Sequence, residues 1–176
     1  MKIAFSGTSG TGKTTLVNAM REMDEFKDFE FQTNLTRRLI DMGIEINENG
    51  GDEATLGIID IHREVLTYKD VVADRSILDA AVYGIYSYIH GKLSDDTLIK
   101  LITALYRYIY TYDVIFFIEP EFDLVADGVR SDSEEYRFKI NQIFKIVLQM
   151  IDAGRIYKLT GSVEDRLKQI KEVLNV

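Results

Sequence analysis

Residues 7–14 read Gly-Thr-Ser-Gly-Thr-Gly-Lys-Thr. Glycines at 7, 10 and 12 let the backbone bend so that successive N–H groups point inward, where they can receive phosphate oxygens. Lys13 adds a cation able to reach the outer phosphates, and the Thr14 hydroxyl is a ligand for Mg²⁺. The spacing is the G-x-x-x-x-G-K-[ST] pattern of a P-loop, so Gly7, Thr8, Ser9, Gly10, Thr11, Gly12, Lys13, Thr14 and Thr15 form the candidate nucleotide-binding stretch. A second group, Asp74-Arg75-Ser76, follows a short apolar run. A carboxylate there can hold Mg²⁺ or take a proton from an attacking hydroxyl, and an arginine beside it can grip a phosphate bidentately. The plainer alternative makes Asp74 the cap of the next helix. A third group lies in Asp127-Gly128-Val129-Arg130 and runs on to Arg137. Arginines on a hinged segment can stabilise charge on a transferred phosphoryl group; the alternative is a solvated loop with Ser133 and Glu135 capping a helix. Arg37-Arg38 is a compact basic pair suited to a single phosphate.

These residues need a frame. Lys2–Phe5 reads as a buried strand and Lys13–Met23 as the helix that opens at the P-loop, which is the context the motif requires. Glu30–Gln32 is a short candidate strand, Leu35–Met42 a helix ended by Gly43, and 44–51 a loop rich in Asn and Gly. Asp52 is placed to cap a helix running to Tyr68, with Leu56, Ile59 and Val65 as its apolar positions. Val71–Ala73 is the third strand, followed by helices over 77–90 and 94–110. Val114-Ile115-Phe116-Phe117-Ile118 is a continuous apolar run of the fully buried kind. Glu134–Ala153 reads as a long helix, Ile156–Leu159 as the fifth strand, and Ser162 as the cap of a helix over 163–174. Apolar strands alternating with helices predict an α/β fold, a parallel sheet covered on both faces. Ligands then bind at the carboxyl ends of the strands, where the loop at 7–14, Arg37-Arg38 and Asp74-Arg75-Ser76 fall.

Composition narrows the function. The chain has 176 residues, 46% apolar and 28% charged, as expected for one globular domain spanning 1–176. No apolar stretch approaches the roughly 18 residues of a membrane span. The strand beginning at residue 2 leaves no room for a signal peptide. Cysteine is absent, which excludes disulfides and thiolate metal sites and agrees with a cytoplasmic setting. A net charge of −8 without a basic face argues against a duplex nucleic-acid partner. The tyrosines at 83, 86, 88, 106, 108, 110 and 112 read mostly as core or helix-interface residues. The helix 94–112 is a candidate surface for a homodimer, or is covered within the monomer.

With these motifs the chain resembles the P-loop nucleoside and nucleotide kinases. The residues that carry the resemblance are the loop at 7–14, Asp74-Arg75-Ser76, Asp127-Gly128-x-Arg130, and the closing Lys158-Leu159-Thr160-Gly161-Ser162-x-Glu164-Asp165-Arg166-Leu167. The branch it is most similar to includes ribosylnicotinamide kinase domains and small phage-encoded kinase-like proteins. The resemblance implies a three-layer sandwich with five parallel strands in order 2-3-1-4-5. It also implies ATP with Mg²⁺ as phosphoryl donor, an acceptor region over about 33–69 and an arginine-bearing lid over about 123–137. Carried over by position, Lys13 and Thr14 hold phosphates and metal, Asp74 is the acid after the third strand, Arg75 the acceptor-side arginine, and Arg130 and Arg137 the lid arginines.

One departure bears on the acceptor. Deoxynucleoside kinases place a general-base carboxylate after the second strand, whereas here Gln32-Thr33-Asn34-Leu35-Thr36 has no acid and is followed by Arg37-Arg38. An arginine there suits thymidylate-kinase-like chemistry, in which the acceptor is a monophosphate already ionised. A small nucleoside monophosphate, its phosphate bound by Arg75 and one of Arg37 or Arg38, is therefore the expected partner. The alternatives are a nucleoside, a hydroxymethylated pyrimidine in DNA, or, in another class, a P-loop ATPase switch that drives a protein partner, for which Glu119-Pro120-Glu121 is the relevant feature.

Overall fold

The computed structural model describes residues 1–120, 133–151 and 154–176. Glu121, Arg130, most of the segment 123–137 and the helix end expected at Ala153 lie outside the described residues.

Five strands form one parallel sheet: β1 (Lys2–Ser6), β2 (Glu30–Gln32), β3 (Val71–Asp74), β4 (Val114–Ile118) and β5 (Ile156–Leu159). Their order is β2-β3-β1-β4-β5, as the resemblance implies. The central strand β1 aligns Ala4 with Ala73 on one side and with Ile115 on the other. Side chains alternate across a strand, and the two faces are apolar in different ways. Ile3, Phe5, Val72, Phe116 and Ile118 face a core shared with α1 (Lys13–Arg21) and α7 (Val163–Leu174). Ala4, Val71, Ala73, Ile115 and Phe117 face the larger core. That core is covered by α3 (Asp52–Val65), α4 (Ile77–Ile89), α5 (Asp95–Tyr108) and α6 (Glu134–Met150), with the short α2 (Arg37–Asp41) at its margin. The central strands are apolar on both faces because both are buried, while the edge strand β5 exposes Tyr157 and Lys158.

Several local expectations shift. Asp52 begins α3 rather than capping it: Gly51 is the cap residue, and the Asp52 carboxylate accepts from the Ser94 N–H at 2.8 Å. The helix ends at Val65, and its buried face is Ala54, Thr55, Ile61, His62 and Val65, leaving Leu56 exposed. Asp74 is the last residue of β3 and does not cap α4. Ser76 does, accepting from Leu78 N–H, with Asp79 completing a capping box. Ser162 caps α7 as expected, and Ser133 caps α6, as the plainer alternative for that segment has it. α5 buries Leu101, Ala104 and Leu105 within the monomer, yet Ile99 and Tyr106 remain exposed. Tyr86 and Tyr112 are core residues, whereas Tyr88 and Tyr110 are exposed. No helix among the described residues is long and apolar enough to cross a membrane.

Gly7, directly after β1, ties the P-loop to the sheet. Its φ is +144°, and a Cβ there would stand 2.2 Å from the Ile118 carbonyl oxygen at the end of β4. The obstacle is backbone in the middle of the sheet, so it cannot move aside cheaply. Gly7→Ala should therefore destabilise the fold by about 2–4 kcal/mol. Urea unfolding should show a lower midpoint at unchanged slope.

Candidate active site

The turn between β1 and α1 takes the form its glycines allow. Gly10 and Gly12 lie at φ +73° and +86°, where other residues are strained. Gly12 is the cap position of α1 and brings no side chain there, so the helix opens directly beneath the loop. Lys13 is only 5% exposed. Its ammonium donates to the Gly7 and Thr8 carbonyls at 2.9 and 2.6 Å and to the Thr11 hydroxyl at 3.2 Å. It is thus folded onto the loop's own oxygens, in place to turn toward an arriving phosphate. Thr15 is exposed at the same opening.

Beside the loop, the Thr14 hydroxyl donates to the Asp74 carboxylate. A hydroxyl and a carboxylate in contact, next to a phosphate-binding turn, form a donor set that fits Mg²⁺, which takes oxygen ligands and fills its shell with water and substrate phosphates. Among the described residues no group of three or more His, Cys, Asp or Glu is gathered, so no all-protein cage competes with that arrangement.

Asp79 connects the parts. It is 2% exposed and accepts from the Gly7 N–H at 3.3 Å, the Ser76 N–H at 3.0 Å and the Arg75 guanidinium at 3.3 Å. Arg75 itself lies at φ +100°, a conformation costly for a side chain bearing a Cβ. Its N–H still donates to the Phe5 carbonyl at 3.0 Å, which continues the sheet ladder, while its guanidinium lies 5.1 Å from the Tyr83 ring centre. Burial alone would lower the Arg75 pKa, but Tyr83, Asp79 and Asp74 outweigh it and hold it above the ordinary value. Arg75 is a fixed, always-charged group.

A cavity of about 240 Å³ runs from Gly10–Thr15 past Asp74 and Arg75 into the wedge between α2, α3 and α4. Its far wall is Leu39, Ala54, Ile58 and Gly84, with Ile46, Asn47 and Gly50 of the 44–51 loop beside it. Gly84 lets α4 pack tightly here: a Cβ there would meet Leu101 of α5 at 2.3 Å and Thr55 of α3 at 3.5 Å. Arg37 lines the cavity and is exposed, without an ion-pair partner among the described residues. Arg38, its neighbour, points elsewhere and pairs with Glu64 at 2.7 Å, so of the two candidates Arg37 is the one that lines the cavity with Arg75. Arg137 is buried in the first turn of α6, 3.7 Å from Glu134, and does not line the cavity.

Three residues enter the site that the sequence reading gave no role. Asp79 is one. Arg166, 1% exposed, donates to the Thr11 carbonyl at 2.7 Å and supports the P-loop from α7, on the same buried helix face as Ile170. His62 is the third: it is 0% exposed, lines the cavity, and neither ring nitrogen has a hydrogen-bond partner among the described residues.

A family model described as "AAA domain" matches residues 2–166. Among solved structures, a deoxyadenosine kinase from M. mycoides bound to dCMP and dCDP is similar at 15% identity and TM-score 0.72, over 99% of this chain and 98% of that one. NadR in complex with NR is similar at 15% identity and TM-score 0.73, over 99% of this chain and 51% of NadR. NadR with NAD and AMP-PNP gives 16% identity and TM-score 0.68, over 99% and 49%. Nothing among curated protein sequences matches the chain. The fold is that of the P-loop nucleoside kinases.

The buried imidazole has a consequence for stability. Burial first, and the charge of Arg75 second, push the His62 pKa down from 6.5 to about 3. Between those values the unfolded chain binds a proton at this site and the folded chain does not. Stability is therefore lost as the pH falls below 6.5, by about 1.4 kcal/mol per pH unit from this group. Chemical denaturation at pH 7 and pH 5 should show a larger acid loss in the wild type than in His62→Leu. Equal losses would contradict the buried neutral state.

Proposed function

We propose that this chain, which belongs to the AAA domain family, is an ATP- and Mg²⁺-dependent kinase whose acceptor is a small nucleoside monophosphate. The observation that carries this reading is the continuous cavity that joins the P-loop to Arg37 and Arg75. A phosphate between these two guanidinium groups is held where its oxygen can face the γ-phosphate. Such an acceptor is already ionised and needs no general base. That suits a cavity in which Asp79 already accepts three hydrogen bonds and Asp74 is left to serve the metal. ATP binds with its phosphates in the loop at 7–14 and Lys13 on the outer ones, and Thr14 and Asp74 hold Mg²⁺, which neutralises phosphate charge. Arg166 keeps the Thr11 turn in place behind them. A partner-driving ATPase has no need of an enclosed second compartment beside the phosphates.

A nucleoside acceptor is the second reading. The pairing of Arg75 with Asp79 and Asp74 favours it, since a compensated arginine does not demand an anion. The similar solved structures, named as a deoxyadenosine kinase and as NadR bound to NR, favour it as well. Asp74 would then serve as the base.

Turnover of ATP with monophosphates, the matching nucleosides and hydroxymethylated DNA, run in parallel, separates the readings. A monophosphate kinase uses the first set only. Arg37→Ala should raise the acceptor KM about tenfold or more and change the ATP KM little. If nucleosides are phosphorylated and monophosphates are not, the monophosphate assignment fails.

Arg130, outside the described residues, is assigned the transition-state role, with Arg137 as its alternative. Arg130→Ala should lower kcat by about a hundredfold or more at nearly unchanged ATP KM. A rise in KM alone would make it a ground-state clamp on ATP.

A further inference from the structure

We infer that His62 is the specificity-determining residue of the acceptor compartment: its imidazole hydrogen-bonds an uncharged polar group on the body of the acceptor, a ring edge or a sugar hydroxyl. The inference rests on the kinase reading above and adds what that reading leaves open, namely what holds the acceptor beyond its reacting end.

The argument begins with an unmet need. A buried polar group without a partner is costly, and native structures rarely keep one without a reason. His62 has two such atoms, Nδ1 and Nε2, on a residue 0% exposed. Leu39, Ile58 and Ala80, which line the cavity with it, carry no side-chain hydrogen-bonding group, and the Arg75 guanidinium is near enough to act on its charge without being its hydrogen-bond partner. A leucine would fill such a place without the penalty. The imidazole also lies on the helix face that forms the cavity: Thr55, Ile58 and His62 follow one another along α3 at helical spacing, opposite Ala80, Gly84 and Ser87 on α4. Thr55 and Ser87 are buried and line the same wedge. The wedge is therefore apolar and narrow, with a few polar atoms on its walls, as sites for flat ring systems are built.

The charge of His62 limits what it can bind. It sits within the field of Arg75 and stays neutral, so it adds no cation for a phosphate. A neutral imidazole carries one donor and one acceptor and can change tautomer to match an amino group, a carbonyl, a ring nitrogen or a hydroxyl. Phosphate recognition thus falls to Arg37 and Arg75, and recognition of the neutral part to His62. Because the ring is closed to solvent, the acceptor reaches it when a neighbouring side chain changes rotamer. Ile58, one turn earlier on the same face and half-buried, is the side chain placed to do so.

The test is binding rather than turnover. Common ribonucleoside and deoxyribonucleoside monophosphates and the matching nucleosides are titrated calorimetrically into the whole protein with a non-hydrolysable ATP analogue present, and the tightest is carried forward. His62→Leu should weaken that ligand by roughly tenfold or more and leave affinity for the ATP analogue within about twofold. The unliganded variant should melt about 2–4 °C above wild type at pH 7, because an unpartnered polar group has been removed. His62→Asn and His62→Gln place an amide near the positions of Nδ1 and Nε2, and one of the two should retain most of the affinity. A His62→Leu protein that binds the ligand as wild type does overturns the assignment, whatever its melting temperature. Should that variant fail to fold, the two amide variants carry the test, and equal affinities for both overturn it. If the wild type binds no member of the panel, the reading of a nucleoside or nucleoside monophosphate acceptor falls and this inference falls with it.

Discussion

A single buried carboxylate organises the upper edge of the sheet. Asp79 would be strongly destabilising at 2% exposure if it stood alone. Instead it receives the first N–H of the P-loop, the cap N–H of α4 and the guanidinium of Arg75. Those donors come from the end of β1, the end of β3 and the turn between β3 and α4. The carboxylate therefore fixes three pieces of backbone relative to one another, and it holds Arg75 in a conformation that the chain would otherwise avoid. Removing Asp79 would leave an arginine without its nearest counter-charge and two N–H groups without an acceptor, which is why the site and the fold are not separable here.

The parallel sheet does the rest of the positioning. With every strand running the same way, the carboxyl ends of β1, β2 and β3 meet at one edge, and the chain leaving each of them enters one cavity: Gly10–Thr15, Asn34–Arg37 and Asp74–Arg75. The two faces of the sheet then divide the labour. α1 and α7 back the phosphate turn, and Arg166 reaches through to the Thr11 carbonyl. α3 and α4 form the wedge on the other face, where the small residues Ala54 and Ala80 leave room. In the proposed kinase the donor and the acceptor occupy these two compartments, and Asp74 stands where they meet.

Residues whose role is local were legible in the sequence. The P-loop, the continuous strand at 114–118 and the serine cap at 162 are set by short-range spacing, and all appear where the sequence places them. Residues whose role depends on distant contacts were not. Asp79 bonds to Gly7 and Arg166 to Thr11, far apart along the chain, and although Arg166 belongs to the closing motif, nothing in the sequence names either partner. His62 reads as one polar position in an amphipathic helix until α4 closes over it. Arg37 and Arg38 show the limit most simply. Adjacent residues on a helix point about 100° apart, so one reaches the cavity and the other meets Glu64. Asp52 was expected to cap its own helix, but the Ser94 N–H, brought near by the packing of α3 on α5, is the donor it meets.

The most direct test of the central claim is the fate of the γ-phosphoryl group. ATP labelled on its γ-phosphate is incubated with the protein, Mg²⁺ and a mixture of nucleosides and nucleoside monophosphates, and the products are separated. A kinase with the donor and acceptor compartments described here leaves the label on a nucleotide product, in excess over inorganic phosphate. Label found only as inorganic phosphate, at a rate unaffected by the added acceptors, would contradict it.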